Sequence, residues 1–188
     1  MIEQIDLKEI PVLETEHYVL RGIAKEDAKE LYLFMRDQET MQYITPHPVG
    51  TEAAMQEEVT RYLKKFALKK GIPWVILDKE TRKVVGQFRF HKLHLWHKKA
   101  EMCAVIRKEY QNKGVMTEIL DVVLDFGFHT LRLNRIVGDI FAGNEGSRRL
   151  MERFGFKREG VLRQTDFDGE KYHDTVVYSL LQAEYRRK

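Results

Sequence analysis

Tyr110-Gln111-Asn112-Lys113-Gly114-Val115-Met116-Thr117-Glu118 lies between a strand-like run ending Ala104-Val105-Ile106 and an apolar-periodic run starting at Val115. A polar, glycine-containing turn that feeds a helix start leaves backbone N–H groups pointing outward at the positive end of a helix dipole. Such a turn is a seat for a phosphate. Gly114 permits a tight turn or close approach of a ligand to the backbone, and Lys113 adds a positive charge. Taken alone this is a common kind of helix start. A second stretch, Asn144 to Phe156, gives it company.

The flanking sequence divides into short periodic runs. His17-Tyr18-Val19-Leu20-Arg21-Gly22-Ile23 reads as a strand, and a helix begins at Asp27 and Ala28 with Leu31, Phe34 and Met35 on its apolar side. Thr45-Pro46-His47-Pro48-Val49-Gly50 is a loop, because each proline forces extended backbone before it. Thr51 then starts a helix with Met55, Val59, Tyr62, Leu63 and Phe66 as its stripe, ending near Gly71. From Pro73 the period shortens. Trp74 to Leu77 is a strand, Asp78 to Lys83 a polar hairpin turn, and Val84, Gly86, Phe88 and Phe90 alternate on the next strand. Met102, Ala104 and Ile106 mark another. A helix runs from Val115 to about Leu131, Ile136 to Phe141 is a strand, Asn144 to Phe154 a helix, and strands around 157–165 and 172–181 flank the turn Asp168-Gly169. The pattern predicts an α/β (α+β) domain with a mixed, mainly antiparallel sheet of seven strands and about four helices.

The chain has 188 residues, which suits one domain over 1–188 with its core at about 13–184. Its 32 basic and 29 acidic side chains leave a net charge of +3, too weak a balance to argue for nucleic acid but compatible with an anionic small ligand. The single cysteine, Cys103, rules out an intrachain disulfide and fits a reducing, cytoplasmic setting. The start Met1-Ile2-Glu3-Gln4-Ile5-Asp6 lacks the basic-then-apolar pattern of a signal peptide, and no apolar run reaches the roughly 18 residues of a membrane span.

The ordered blocks carry a specific resemblance. Gln111-Asn112-Lys113-Gly114-Val115-Met116, then Asn144-Glu145-Gly146-Ser147, Gly155-Phe156 and the tail Tyr172-His173-Asp174-Thr175-Val176-Val177-Tyr178-Ser179-Leu180 resemble the GNAT superfamily of acyl-CoA-dependent N-acyltransferases. Within it the chain is similar to the RimJ/RimL-type branch, which includes ribosomal-protein N-terminal acetyltransferases and small-amine acetyltransferases. The superfamily's CoA loop reads Gln or Arg, two residues, Gly, one residue, then Gly or Ala. Here Met116 replaces the final small residue, leaving less room beside the pyrophosphate.

The resemblance implies the GNAT fold and direct transfer of an acetyl group from acetyl-CoA to a primary amine, either a protein N-terminus or a small amine or amino acid. It implies a V between the strands ending at Ile106 and Phe141, where backbone of Val105 and Ile106 holds the pantetheine. The amides of Gln111, Asn112, Lys113, Gly114, Val115, Met116 and Thr117 would cradle the pyrophosphate, and the Asn144 side chain would bond the pantetheine arm. Ser147 is the expected acid for the departing thiolate, because the tyrosine used for this in other branches is replaced by Met151. Glu101 is the expected base, with a water relay or a plain solvated role as its alternatives. Arg149 or Arg148 would meet the 3′-phosphate, and Asp166, Asp174 and His173 are secondary candidates for contacts to the amine. A non-catalytic acyl-CoA-binding or sensor module is the competing function. Homodimers are common in the superfamily, and no metal, nucleic acid or membrane partner is expected.

Other residues have bland explanations. Asn144 and Ser147 suit a helix N-cap. Cys103, between Met102 and Ala104, reads as buried filler. His91, His94 and His97 lack a carboxylate at ligand spacing and read as solvated turn residues rather than a metal set. Phe34, Tyr43, Trp74 and Phe90 are candidates to line an acceptor pocket or simply to pack the core.

Overall fold

The computed structural model describes residues 7–186, so the start at 1–6 on which the signal-peptide expectation rests lies outside the described residues. One eight-stranded sheet organises the chain, built from β1 (Leu13–Glu14), β2 (Tyr18–Gly22), β3 (Ile72–Asp78), β4 (Val84–His94), β5 (Lys99–Ile106), β6 (Arg135–Phe141), β7 (Lys157–Phe167) and β8 (Tyr172–Leu181). They lie side by side in the order β1-β2-β3-β4-β5-β6-β8-β7. All neighbours are antiparallel except β5 and β6. The expected seven-strand count is corrected by β1, whose two residues are too short to leave a period of alternation.

Among the described residues five helices flank the sheet: α1 (Ala28–Met35), α2 (Gln38–Met41), α3 (Glu52–Ala67), α4 (Val115–Asp125) and α5 (Glu145–Arg153). The helix missing from the sequence reading is α2. It is a single turn, held by the Asp37 carboxylate, which accepts from the Thr40 N–H at 2.7 Å. The predicted run from Val115 to Leu131 changes character at Phe126, where Phe126–Thr130 form a π-helical turn closed by Leu131 N–H donating to the Phe126 carbonyl at 2.9 Å. Gly127 permits this close packing, since a Cβ there would sit 2.8 Å from the Ile136 side chain.

The helices split between the two faces of the sheet. α4 and α5 bury Val115, Ile119, Leu120, Val123, Leu124 and Met151 on one side with the aromatic group Trp74, Phe88 and Phe90. On the other, α1 and α3 press Leu31, Phe34, Met55 and Val59 against Val75, Val84 and Val105. Alternation along β5 serves both layers. Ala100, Met102 and Ile106 belong to the first core, whereas Val105 turns to the second. α3 starts on the Thr51 hydroxyl, which accepts from the Ala54 N–H at 3.1 Å, and ends with Lys64 and Lys65 in its last turn. Among the described residues, no helix is long and apolar enough to cross a membrane.

Candidate active site

The parallel pair β5 and β6 is joined for only three residues, Lys99↔Arg135, Ala100↔Ile136 and Glu101↔Val137. Beyond Glu101 the two strands separate. β5 stays paired with β4 as far as Gly86↔Ile106, and β6 stays paired with β8 as far as Phe141↔Thr175. The sheet therefore splits into a V with one open strand edge on each arm. At its apex a Cβ on Gly138 would lie 2.6 Å from the Met151 terminal methyl and 3.3 Å from that of Met102. These two thioether side chains occupy the space where a side chain on β6 would have packed. An open strand edge offers unpaired N–H and C=O groups to an extended, amide-bearing ligand.

At the C-terminal end of β5 the chain turns through the opening stretch of sequence. Arg107 pins this corner: its Nε donates to the Val84 carbonyl at 2.7 Å and its Nη2 to the Glu30 carboxylate at 2.8 Å. Gln111 reaches back, its amide donating to the Ile106 carbonyl at 3.0 Å. Asn112 (φ 59°) and Gly114 (φ 82°) both take left-handed backbone, and Gly114 begins α4 without any side-chain cap. The space a Cβ on Gly114 would enter is empty to 4 Å. Uncapped amides beside empty space, at the positive end of an 11-residue helix, fit a phosphate group. The Lys113 ammonium rests 5.8 Å from the centre of the Tyr110 ring. The Met116 side chain is half-buried against the core.

On the other arm, Asn144 caps α5, its side-chain oxygen accepting from the Ser147 N–H at 3.0 Å. This bond leaves the Asn144 amide group to donate elsewhere. Ser147 is half-buried in the first turn of α5. One turn on, Met151 is 7% exposed and lies against Gly138, which explains why no titratable group stands at that position. Arg148 is tied to Glu145 at 2.7 Å and Glu152 at 3.0 Å, so Arg149, exposed on the same helix, is the freer cation.

The opposite face of the V looks toward α1, α2 and α3. There Glu101 is half-buried, with Lys92 Nζ at 2.7 Å and His91 Nε2 at 4.0 Å. Asp139 follows on β6, and its carboxyl is pushed up by partial burial and by the Glu101 charge. A cavity of about 340 Å³ opens on this face, with Arg89, His91 and Val105 in its floor and Met35, Met41 and Tyr62 in its walls. Burial, reinforced by the Arg89 charge, drops His91 to about 4, so the ring is neutral at pH 7.

A profile of the acetyltransferase (GNAT) domain matches residues 17–157. The chain belongs to the GNAT acetyltransferase family. The uncharacterized N-acetyltransferase YoaA of Bacillus subtilis (strain 168) is 34% identical over 173 residues, covering 92% of this chain and 97% of that protein. Among solved structures, ribosomal-protein-S5-alanine acetyltransferase from Vibrio fischeri superposes with a TM-score of 0.82 at 21% identity, covering 94% of this chain and 99% of the other. Spermidine N-acetyltransferase from Vibrio cholerae, in complex with CoA and spermine, gives 0.81 at 24% identity over 90% and 98%. At these identities the two structures establish the shared fold, and their differing acceptors belong to them.

On this GNAT frame, the residues expected from the sequence fall into three groups. Val105, Ile106 and Gln111–Thr117 line one arm of the V, and Asn144, Ser147 and Arg149 sit on the helix that follows the other arm. Glu101 stands at the fork on the α1–α3 face. Asp174 is used structurally, accepting from the Gln164 N–H at 2.8 Å where β7 bulges, and His173 pairs with Asp168. Trp74 is wholly buried, Phe34 belongs to the core under α1, and Tyr43 stacks on Phe141, so of the four aromatic candidates only Phe90 reaches the cavity.

The surroundings of two residues on the α1–α3 face differ from the sequence reading. His91 is no turn residue: it stands on β4 directly across from Glu101 and lines the cavity. Cys103 is likewise not core filler, since it is half-buried beside the Arg89 guanidinium at 3.6 Å. Gln87, Arg89 and His91 alternate with the apolar Gly86, Phe88 and Phe90, and this polar phase was the available signal.

Proposed function

We propose that the protein binds acetyl-CoA with its pantetheine arm extended in the V, between residues 102–106 and 138–141, and transfers the acetyl group directly to a primary amine. The observation that carries this is the loss of pairing after Glu101↔Val137, with an uncapped helix start at the end of the same strand. The open edge matches the amide groups of pantetheine, and within Gln111–Thr117 the amides from Asn112 to Met116 match a pyrophosphate, those of Gln111 and Thr117 already donating to the Lys108 and Gly114 carbonyls.

The acceptor nitrogen attacks the thioester carbonyl carbon, and a C–N bond forms as the C–S bond breaks. Glu101 takes the proton lost by the nitrogen, directly or through one water, and the Lys92 ammonium holds its carboxylate in place. Ser147 donates its hydroxyl proton to the departing thiolate and recovers one from solvent. The open N–H groups of the V are the donors at hand for the oxyanion. A cytoplasmic setting goes with this cosubstrate in our reading. Steady-state thiol release from acetyl-CoA with an amine panel tests the proposal. Saturable CoA binding with no turnover of any amine would instead favour the non-catalytic module.

A further inference from the structure

The cavity beside the V contains a cation, Arg89, that no carboxylate among the described residues pairs with directly. Arg89 rises from β4 opposite Cys103, with its guanidinium carbon 4.6 Å from the centre of the Tyr62 ring and Nη2 3.6 Å from the Cys103 sulfur. A thiol is a weak acceptor, and Tyr62 meets the guanidinium with its ring face and its hydroxyl but brings no formal charge. Among the described residues, no carboxylate lies within ion-pairing distance of Arg89. Glu58, the carboxylate in the cavity wall, is paired with Arg61 and acts on Arg89 only through space. Lys65 adds a second positive charge at the rim, while His91 stays neutral. A half-buried guanidinium with spare donors and no anion is poised for one, and its planar fork matches a carboxylate.

The register supplies the second half of the pattern. Arg89 faces Cys103 and His91 faces Glu101, so Arg89 and Glu101 are diagonal neighbours on one face of the β4–β5 pair. Such neighbours have backbones about 7–8 Å apart. A cationic anchor and a carboxylate base thus stand one rung apart at the fork of the V. A ligand with its own carboxylate and amine on adjacent atoms can address both. Met35, Met41, Ile44 and Val49 give the rest of the cavity an apolar wall. A volume of about 340 Å³ is at the small end for ligand sites, which run from roughly 300 to 1,000 Å³.

We infer that the acceptor is a free α-amino acid with an apolar side chain, its carboxylate held by Arg89 and its amine turned to Glu101 and the V. This rests on the transferase reading for the reaction and adds the class of acceptor. A polyamine would bring its own positive charges to Arg89 and Lys65, and a long peptide would lack the anion beside its amine.

The test compares matched acceptors: L-leucine with isoamylamine, L-phenylalanine with phenethylamine, and spermidine and an Ala-Leu-Gly peptide alongside. Each amino acid is expected to exceed its decarboxylated partner in kcat/KM by about 10- to 100-fold, the range of a charge-assisted hydrogen-bonded pair. Arg89→Met should bring that ratio to near one through KM, and Arg89→Lys should retain part of it. Preference of the wild type for the bare amines, spermidine or the peptide would overturn the inference, as would an unchanged ratio in Arg89→Met. Calorimetric titration of N-acetyl-L-leucine into the CoA-saturated protein reads the same contact without turnover. Binding that weakens at least tenfold in Arg89→Lys or Arg89→Met supports the anion site even where no amine is acetylated, and that combination would sink the transferase reading alone. Absent or Arg89-independent binding overturns the anion site itself.

Discussion

Replacing Gly114 separates what the phosphate loop costs the fold from what it does for the ligand. Its φ of 82° lies in the left-handed region, where an alanine is disfavoured by about 1–2 kcal/mol and an asparagine by less. No protein atom lies within 4 Å of the added Cβ, so backbone strain is the whole stability term. For a chain of this length each kcal/mol moves Tm by about 2–4 °C. Gly114→Ala should therefore melt roughly 2–8 °C lower, and Gly114→Asn should recover about half of that. CoA affinity should behave differently. Both side chains fill the empty space in front of the α4 amides, and losing one charge-assisted contact there weakens binding by about 10- to 100-fold. Thermal melts give the first quantity and calorimetry with CoA the second. A stability loss in Gly114→Ala together with wild-type CoA affinity in both variants would refute the assignment of this loop to the pyrophosphate.

Ser147→Ala should lower kcat by about 10- to 1,000-fold while CoA affinity, measured by calorimetry, stays within threefold of wild type; an unchanged kcat would remove Ser147 from the acid role. Asp27 is 6% exposed and accepts from Arg21 at 2.6 and 2.8 Å and from the Ala24 N–H at 2.7 Å. Asp27→Ala should cost about 2–4 kcal/mol in a urea melt, and a loss under 1 kcal/mol would show that this pairing does not anchor α1. His91 has a folded-state value of about 4 against an ordinary 6.5, so below pH 6.5 the unfolded chain takes up a proton that the folded protein refuses. Its contribution is complete above pH 6.5 and is lost as pH falls toward 4, amounting to about 2 kcal/mol once partial exposure is allowed for. Denaturant midpoints between pH 7 and 4.5 should show that decline and His91→Gln should flatten it; the same slope in both would exclude His91 as its source.

The fold was legible wherever one period dominated. α3 and α4 announce themselves by apolar spacing, and the blocks around Gly114 and Asn144 mark the two arms of the V in the sequence. Short elements were not legible: β1 has two residues and α2 one turn, less than a full period each. The acceptor side was hidden for a different reason. β4 is covered on both faces, and its apolar phase explained the strand so well that Gln87 and Arg89 drew no reading and His91 was assigned to a solvated turn. Only the packing of α1 and α3 over that face shows that they look into a cavity. The divergence of β5 and β6 is similarly tertiary. At its apex the Met102 and Met151 side chains both lie over Gly138, a juxtaposition of three residues far apart in sequence.

The central claim is that the V holds acetyl-CoA and delivers its acetyl group to an amine. Its most direct test is mass spectrometry of the acceptor panel after incubation with trideuteroacetyl-CoA, with free thiol measured in the same samples. The account predicts at least one amine heavier by a trideuteroacetyl group, in amounts equal to the thiol released and abolished or strongly reduced by Ser147→Ala. Tight, saturable CoA binding with no labelled amine and no thiol above the uncatalysed background would contradict it.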